Sequence, residues 1–364
     1  MNYRLATVFA EKTYTADATE IIELNVKDPI SELIIRFQPT NGAEGEPTGH
    51  PIRCIEKVEL VDGSDVLFSL SGVEAHALDW YNHKIVRPNI MWYLTGLVMD
   101  CALHISFGRF PMDPILALDP TKFRNPQLKI TLDIDAGGMN ASQVVVSVLA
   151  RTFDEKAVTP IGFLMNKEIK DYSLGAGTRE YTDLPTDFPY RKLLLRSQLY
   201  GTGVEHCFDE IKLSEDNDKK VPLDNTIEEI LHAITGYTKP YREWILTNAD
   251  TDGRYIYITP GYWPAFSAAG WTTAVLTSPP SVYYGDGGRA TCYKAADAQN
   301  MQVMCMGWCP HSTIEIPFGL QDDLDDWYDV TKLGSLRLNM KAGSGMTTSE
   351  SCQIFTQQLR KYAG

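Results

Sequence analysis

Cys305, Cys309 and His311 are spaced Cys-x-x-x-Cys-x-His, and their sulfur and imidazole donors are of the kind zinc takes. No fourth donor lies near them in the chain, so the spacing reads as buried thiols on a strand rather than as a metal centre. Asp322, Asp323, Asp325 and Asp326 offer oxygens for calcium, but they lack the spacing and glycine of a calcium loop. They read as a solvated acidic turn. His76 and His83 flank a short helical stretch with Glu74 and Asp79, and with no nucleophile to serve they read as surface histidines. Gly285-Asp286-Gly287-Gly288 is a turn signal without the strand-to-helix setting of a phosphate loop. No Gly-x-Ser-x-Gly, His-Glu-x-x-His or Gly-x-x-x-x-Gly-Lys motif occurs. The residues therefore specify no catalytic group, no cofactor and no metal, and the expectation is a protein that is not an enzyme.

The aromatics are more informative. Tyr262, Trp263, Trp271, Tyr283 and Tyr284 crowd a Gly/Pro-rich stretch, where they are expected as exposed loop or intersubunit contacts. Packing of these rings onto their own domain is the plainer alternative.

The elements that would carry such a stretch occur twice. Leu33-Ile34-Ile35-Arg36-Phe37-Gln38 and Leu193-Leu194-Leu195-Arg196-Ser197-Gln198 share Leu-x-x-Arg-x-Gln. Each leads into a strand-like run, Cys54 to Leu60 and Cys207 to Leu213. Ile105-Ser106-Phe107-Gly108 answers to Ile314 to Gly319, both apolar runs closing on Phe-Gly. Asp119-Pro120-Thr121-Lys122-Phe123 precedes the alternating Leu128 to Leu132, and Asp329-Val330-Thr331-Lys332-Leu333 precedes Leu336 to Met340. Period-two alternation marks strands with one buried face. Four blocks repeated in order make the chain two copies of one β-domain. Ser71-Gly72-Val73-Glu74 and Thr226-Ile227-Glu228-Glu229 are capping boxes that place a helix at the matching point of each copy. In the first helix Val73, Ala77 and Trp80 or Tyr81 are expected inward. Ile227, Ile230, Leu231 and Ile234 form the stripe of the second.

The expected division is a first unit over residues 1–158 and a second over 159–364, with a long loop insertion at about 247–301. A loop of that length inside a compact domain is usually functional or interacting. Met1 to Asp28 is expected to hold a strand or an arm that packs elsewhere. A chain of 364 residues suits two cores, and a net charge of −14 argues against direct binding of nucleic acid. Seven cysteines without paired spacing fit reduced thiols. The longest apolar run, Ile90 to Met99, is short for a bilayer, and no signal-peptide pattern opens the sequence, so a soluble product is expected.

Two tandem units with these blocks resemble the double jelly-roll major capsid proteins of tailless icosahedral viruses. The resemblance rests on Cys54 to Leu60 followed by Ser69 to Glu74, on Asp119 to Phe123 with Leu128 to Leu132, on Ile316 to Gly319 and on the hairpin from Leu336 to Tyr362. It covers nearly the whole chain, and its motifs are structural. It implies an all-β fold of two eight-stranded jelly rolls with short inserted helices and long loops. It also implies a homotrimer forming a pseudo-hexameric capsomer, found in the virion and assembled in the host cytoplasm. The implied partners are neighbouring capsomers, penton or minor capsid proteins and, in many such viruses, an internal lipid membrane. Met1 to Val26 holds no basic amphipathic helix for that membrane, which leaves locking of neighbouring subunits as the other role for an arm. The alternatives are a carbohydrate-binding or glycoside-cleaving β-sandwich, in which Trp263, Trp271 and Tyr283 would stack on sugar rings, and a minor vertex or spike protein. A lectin has no need of six similar wedges, and duplication favours the shell protein.

Overall fold

The computed structural model describes residues 2–42, 47, 49–249, 253–270, 281–293, 299–346 and 351–362. Alternation makes the strands. Between Pro126 and Leu132 the side chains of Leu128, Ile130 and Leu132 are buried, while Gln127, Lys129 and Thr131 between them reach towards solvent.

In chain order the first half forms β1 (Tyr3–Tyr14), β2 (Ala18–Glu23), β3 (Ile30–Thr40), β4 (Ile55–Asp62), β5 (Asp65–Leu70), helix α1 (Gly72–His83), the short β6 (Met91–Trp92), β7 (Cys101–Ser106), β8 (Pro126–Leu132) and β9 (Gln143–Phe153). Two sheets, β1-β9-β3-β7 and β2-β8-β4-β5, face each other across one core. The N-terminal stretch is no separate arm. Tyr3 of β1 pairs with Phe153, and Glu23 of β2 pairs with Gln127, so the lead-in supplies one strand to each sheet.

The second half repeats this with β10 (Gly162–Ser173), β11 (Arg179–Leu184), β12 (Tyr190–Ser197), a single turn α2 (Val204–Cys207), β13 (Phe208–Glu215), β14 (Lys220–Thr226) and helix α3 (Ile227–Tyr237). Six further strands follow: β15 (Tyr241–Ala249), β16 (Arg254–Tyr257), β17 (Pro260–Gly270), β18 (Ser281–Asp286), β19 (Arg289–Tyr293) and β20 (Gln299–Pro310). The roll then closes with β21 (Thr313–Pro317), β22 (Leu336–Ala342) and β23 (Ser351–Lys361). Its sheets run β10-β23-β12-β21 and β11-β22-β13-β14, position for position the order of the first half. This is a double jelly roll. The repeated Asp-x-Thr-Lys blocks are the same turn twice, since Asp119 and Asp329 each accept hydrogen bonds from the backbone N–H and hydroxyl of the threonine two residues on.

Both capping boxes form, Ser71 with Glu74 and Thr226 with Glu229. Helix α3 buries Ile227, Ile230, Leu231 and Ile234, the expected stripe. Helix α1 differs. It is buried on every side from Gly72 to Tyr81, because the second roll covers the face that would otherwise meet water. Gly72 sits there because a Cβ would come within 2.6 Å of the carbonyls of Ile52 and Ile55.

The segment expected as a long loop is mostly β-structure within its described residues. Strands β17-β20-β15-β6 form one sheet and β16-β19-β18 another. A period-two pattern lies under the aromatics: Tyr241, Glu243, Ile245 and Thr247 point inward on β15, as do Met301, Val303 and Cys305 on β20. The edge partner β6 comes from the other roll, so no local reading could supply it. The Gly-Asp-Gly-Gly turn joins β18 to β19, with Gly287 and Gly288 at positive φ and Gly287 lying so close to Thr202 that a Cβ would overlap its backbone.

Candidate functional site

The two rolls share backbone. Strand β5 pairs in parallel with β10, Phe68 opposite Asn166 and Ser69 opposite Lys167, and an eight-stranded sheet runs unbroken from β2 to β21. On the second roll's side β12 is buried on both faces. Leu193 and Leu195 enter its own core, and Lys192, Leu194 and Arg196 alternate with them to face the first roll.

Polar groups on that hidden face are paired. Lys192 Nζ lies 2.5 Å from Glu315 Oε1 and donates to the carbonyl of Tyr81 on α1 at 3.0 Å. Lys84 Nζ reaches the other Glu315 oxygen at 2.9 Å. Burial pushes the Glu315 carboxyl up, but Lys192 and Lys84 outweigh it and hold the group below the usual carboxylate range. Arg191 donates to Asn82, Gln357 and the carbonyls of Arg109 and Gln321. Tyr81 donates to the Thr313 carbonyl at 2.7 Å. Groups desolvated in this way are costly unless satisfied, so the seam admits one registration of the rolls.

The histidines expected at the surface lie inside. His76 is 3% exposed, and its Nδ1 is 2.8 Å from Nε2 of His311. His50, fully buried, completes the group. All three are held neutral, chiefly because burial disfavours the charged ring, with His76 pushed down to about 4. The His83 side chain is also turned away from water and pairs with Asp79, which Arg87 holds from the other side. Cys305 and Cys309 do not join His311. The Cys305 thiol donates to Glu243, and burial pushes both thiols up, as expected of inert buried cysteines. Nothing in the sequence spacing brings His50 to His76 and His311; only the packing of α1 under the second roll does so.

The acidic turn lies at the surface, with Asp322, Asp323, Asp325 and Asp326 exposed. Asp323 and Asp326 spend carboxylate oxygens on the backbone N–H groups of Asp325 and Leu320.

Of the five aromatics singled out, Trp263 is 70% exposed, at a bulge where its own φ is positive and its ring is turned outward. Tyr262 is a correction: it is 8% exposed and packs into the second core, with its ring stacked under Trp263. Tyr283 and Tyr284 lie on β18, but their side chains, like the whole of Trp271, fall outside the described residues. The reading missed Trp92 and Trp244. Trp92 pairs with Leu246, and Trp244 with Met304, on the outer face of the β17-β20-β15-β6 sheet, where Met306 and Ala265 continue the row. Both tryptophans stay well exposed. Arg242, Gln302 and Ser267 share this face, so the exposed tryptophans stand among polar neighbours, a mixture found at interaction surfaces. Among the described residues no helix is long and apolar enough to cross a membrane.

No protein-family model matches the chain, and no curated protein sequence matches it. Solved structures do. The chain is similar to the MCP of STIV, with a TM-score of 0.59 at 11% identity over 99% of this chain and 97% of that one. It is similar to a chain of the Sulfolobus Turreted Icosahedral Virus structure, with a TM-score of 0.58 at 12% identity over 100% and 92%. The major capsid protein P2 from bacteriophage PM2 gives a TM-score of 0.56 at 11% identity over 100% and 99%. Likeness end to end at such low identity establishes a shared double jelly-roll fold.

Proposed function

We infer that the chain is a major capsid protein whose copies tile an icosahedral virion shell. The observation that carries this is the duplication: one strand order made twice and fused through the β5–β10 pair. Three such chains present six similar wedges around one axis, which a single roll would need six copies to supply. The solved structures with this arrangement over their full length include proteins described as major capsid proteins. The domain division at 1–158 and 159–364 is part of this reading, supported by β9 ending at Phe153 and β10 beginning at Gly162.

The functional unit on this account is a homotrimer, a pseudo-hexameric capsomer, made in the host cell and found in the virion beside like capsomers. The exposed face of Trp92 and Trp244, with Trp263 at its rim, is the surface assigned to contacts between copies, and Tyr262 backs Trp263 from beneath. Penton or minor capsid proteins and an internal lipid membrane are the further partners of such a shell. Its role is structural rather than enzymatic.

Electron microscopy of the purified chain tests the reading. Three-fold particles with a pseudo-hexagonal outline are expected, and particles of one chain or of two-fold symmetry would overturn it.

A further inference from the structure

We propose that His50, His76 and His311 form a binding site for one first-row transition cation of the zinc class, pinning the first roll to the second across their seam.

The three rings come from three separate places: the turn before β4, helix α1 and the turn between β20 and β21. Their ligating nitrogens all lie within 4.8 Å of one another, and all three residues are buried. A tetrahedral ion with metal–nitrogen bonds of about 2.1 Å sets its nitrogens about 3.4 Å apart. The group therefore needs a rearrangement of both signs, an opening of the 2.8 Å contact between His76 and His311 and a closing of separations that reach up to 4.8 Å. Three imidazoles with no carboxylate among them select zinc, copper or nickel over magnesium and calcium.

The surroundings orient the rings as outer partners of metal ligands do. Tyr257 Oη lies 2.7 Å from His311 Nδ1, which leaves His311 Nε2 for the centre. The Asn89 side-chain amide is 3.5 Å from His76 Nε2, which leaves His76 Nδ1. His311 is itself held at a positive φ of 55°, a conformation a non-glycine residue keeps only when its surroundings enforce it.

His50 supplies the independent sign of a ligand. Its Nδ1 accepts the Ile52 backbone N–H at 2.9 Å, so the neutral ring carries its proton on Nε2. That nitrogen is buried with no hydrogen-bond partner among the described residues. An orphaned buried N–H is costly. A cation takes the Nε2 lone pair once the proton has passed to Nδ1 and the Ile52 N–H contact has opened, so the ring ligates as neutral imidazole.

The experiment uses the full chain, stripped with chelator and titrated with Co²⁺ and then Zn²⁺. One Co²⁺ per chain with the intense visible bands of a four-coordinate ion, displaced by Zn²⁺, is expected. An absorption spectrum still that of hexaaqua cobalt at one equivalent would overturn the proposal. His50→Asn keeps an oxygen to accept from Ile52 and removes the ligand, so it is expected to fold and to bind at least tenfold more weakly; unchanged affinity would contradict the site. X-ray absorption at the zinc edge of the wild-type chain gives a readout independent of any variant. Three imidazoles are expected, and sulfur scattering from Cys305 or Cys309 would refute the assignment.

Discussion

Phe68 of the first roll lies in parallel register beside Asn166 of the second, and this pairing turns two four-stranded sheets into one of eight strands. Separate unfolding of the rolls would expose its edges together with the polar groups of the seam. Differential scanning calorimetry is therefore expected to give one cooperative transition for the intact chain, with calorimetric and van't Hoff enthalpies in agreement. Two resolved transitions would show that the shared sheet does not couple the rolls.

Lys192 and Glu315 form the most deeply buried ion pair of the seam. Removing one partner strands the other charge. Lys192→Met is expected to cost about 3–5 kcal/mol in denaturant unfolding, and Lys192→Met with Glu315→Gln is expected to recover much of that loss. Lys84 bears only part of the remaining charge, because its side chain is 30% exposed. A single variant as stable as the parent would mean that Glu315 needs only Lys84.

Glu74 is a buried carboxyl that keeps its proton into the neutral range. Burial, followed by the charge of Glu168, pushes its carboxyl up to about 8 from an ordinary 4.5. The folded protein then holds a proton that the unfolded chain has lost, so this contribution to stability is full below about pH 4.5 and falls away as pH rises through 8. Melting temperatures of the parent are expected to drop between pH 6 and 8.5 more steeply than those of Glu74→Gln. Parallel curves would place the carboxyl in its ordinary range.

Thr226 caps α3 through the Glu229 N–H, and Ser71 does the same for α1 through Glu74. Either change to alanine removes a helix cap worth about 1 kcal/mol. Ser71→Ala is expected to cost more of the chemical-denaturation stability than Thr226→Ala, because Ser71 also donates to a carboxyl group that is otherwise sealed from water. Equal losses would show that burial of α1 adds nothing to its cap.

Local chemistry made much of this legible and long-range packing hid the rest. The blocks at Leu33 and Leu193 are β3 and β12, and the four-residue boxes at Ser71 and Thr226 open α1 and α3, because caps and alternation are properties of adjacent residues. The all-round burial of α1 was illegible, since a single helix reveals one apolar stripe and says nothing of a second layer over its polar face. His76 was misplaced at the surface for that reason. The strands β15 to β20 were hidden by glycine, proline and aromatics that usually punctuate loops, and the Trp92–Leu246 pairing joins segments that only the finished fold brings together.

If the proposed function holds, three copies of this chain make one closed block, and light scattering on the purified protein reads that mass in solution. A stable species of about three times the 40.8 kDa chain is expected at low and high salt, shifted towards monomer by Trp244→Ser with Trp92→Ser. A parent chain that stays monomeric at micromolar concentration in both salts would contradict it.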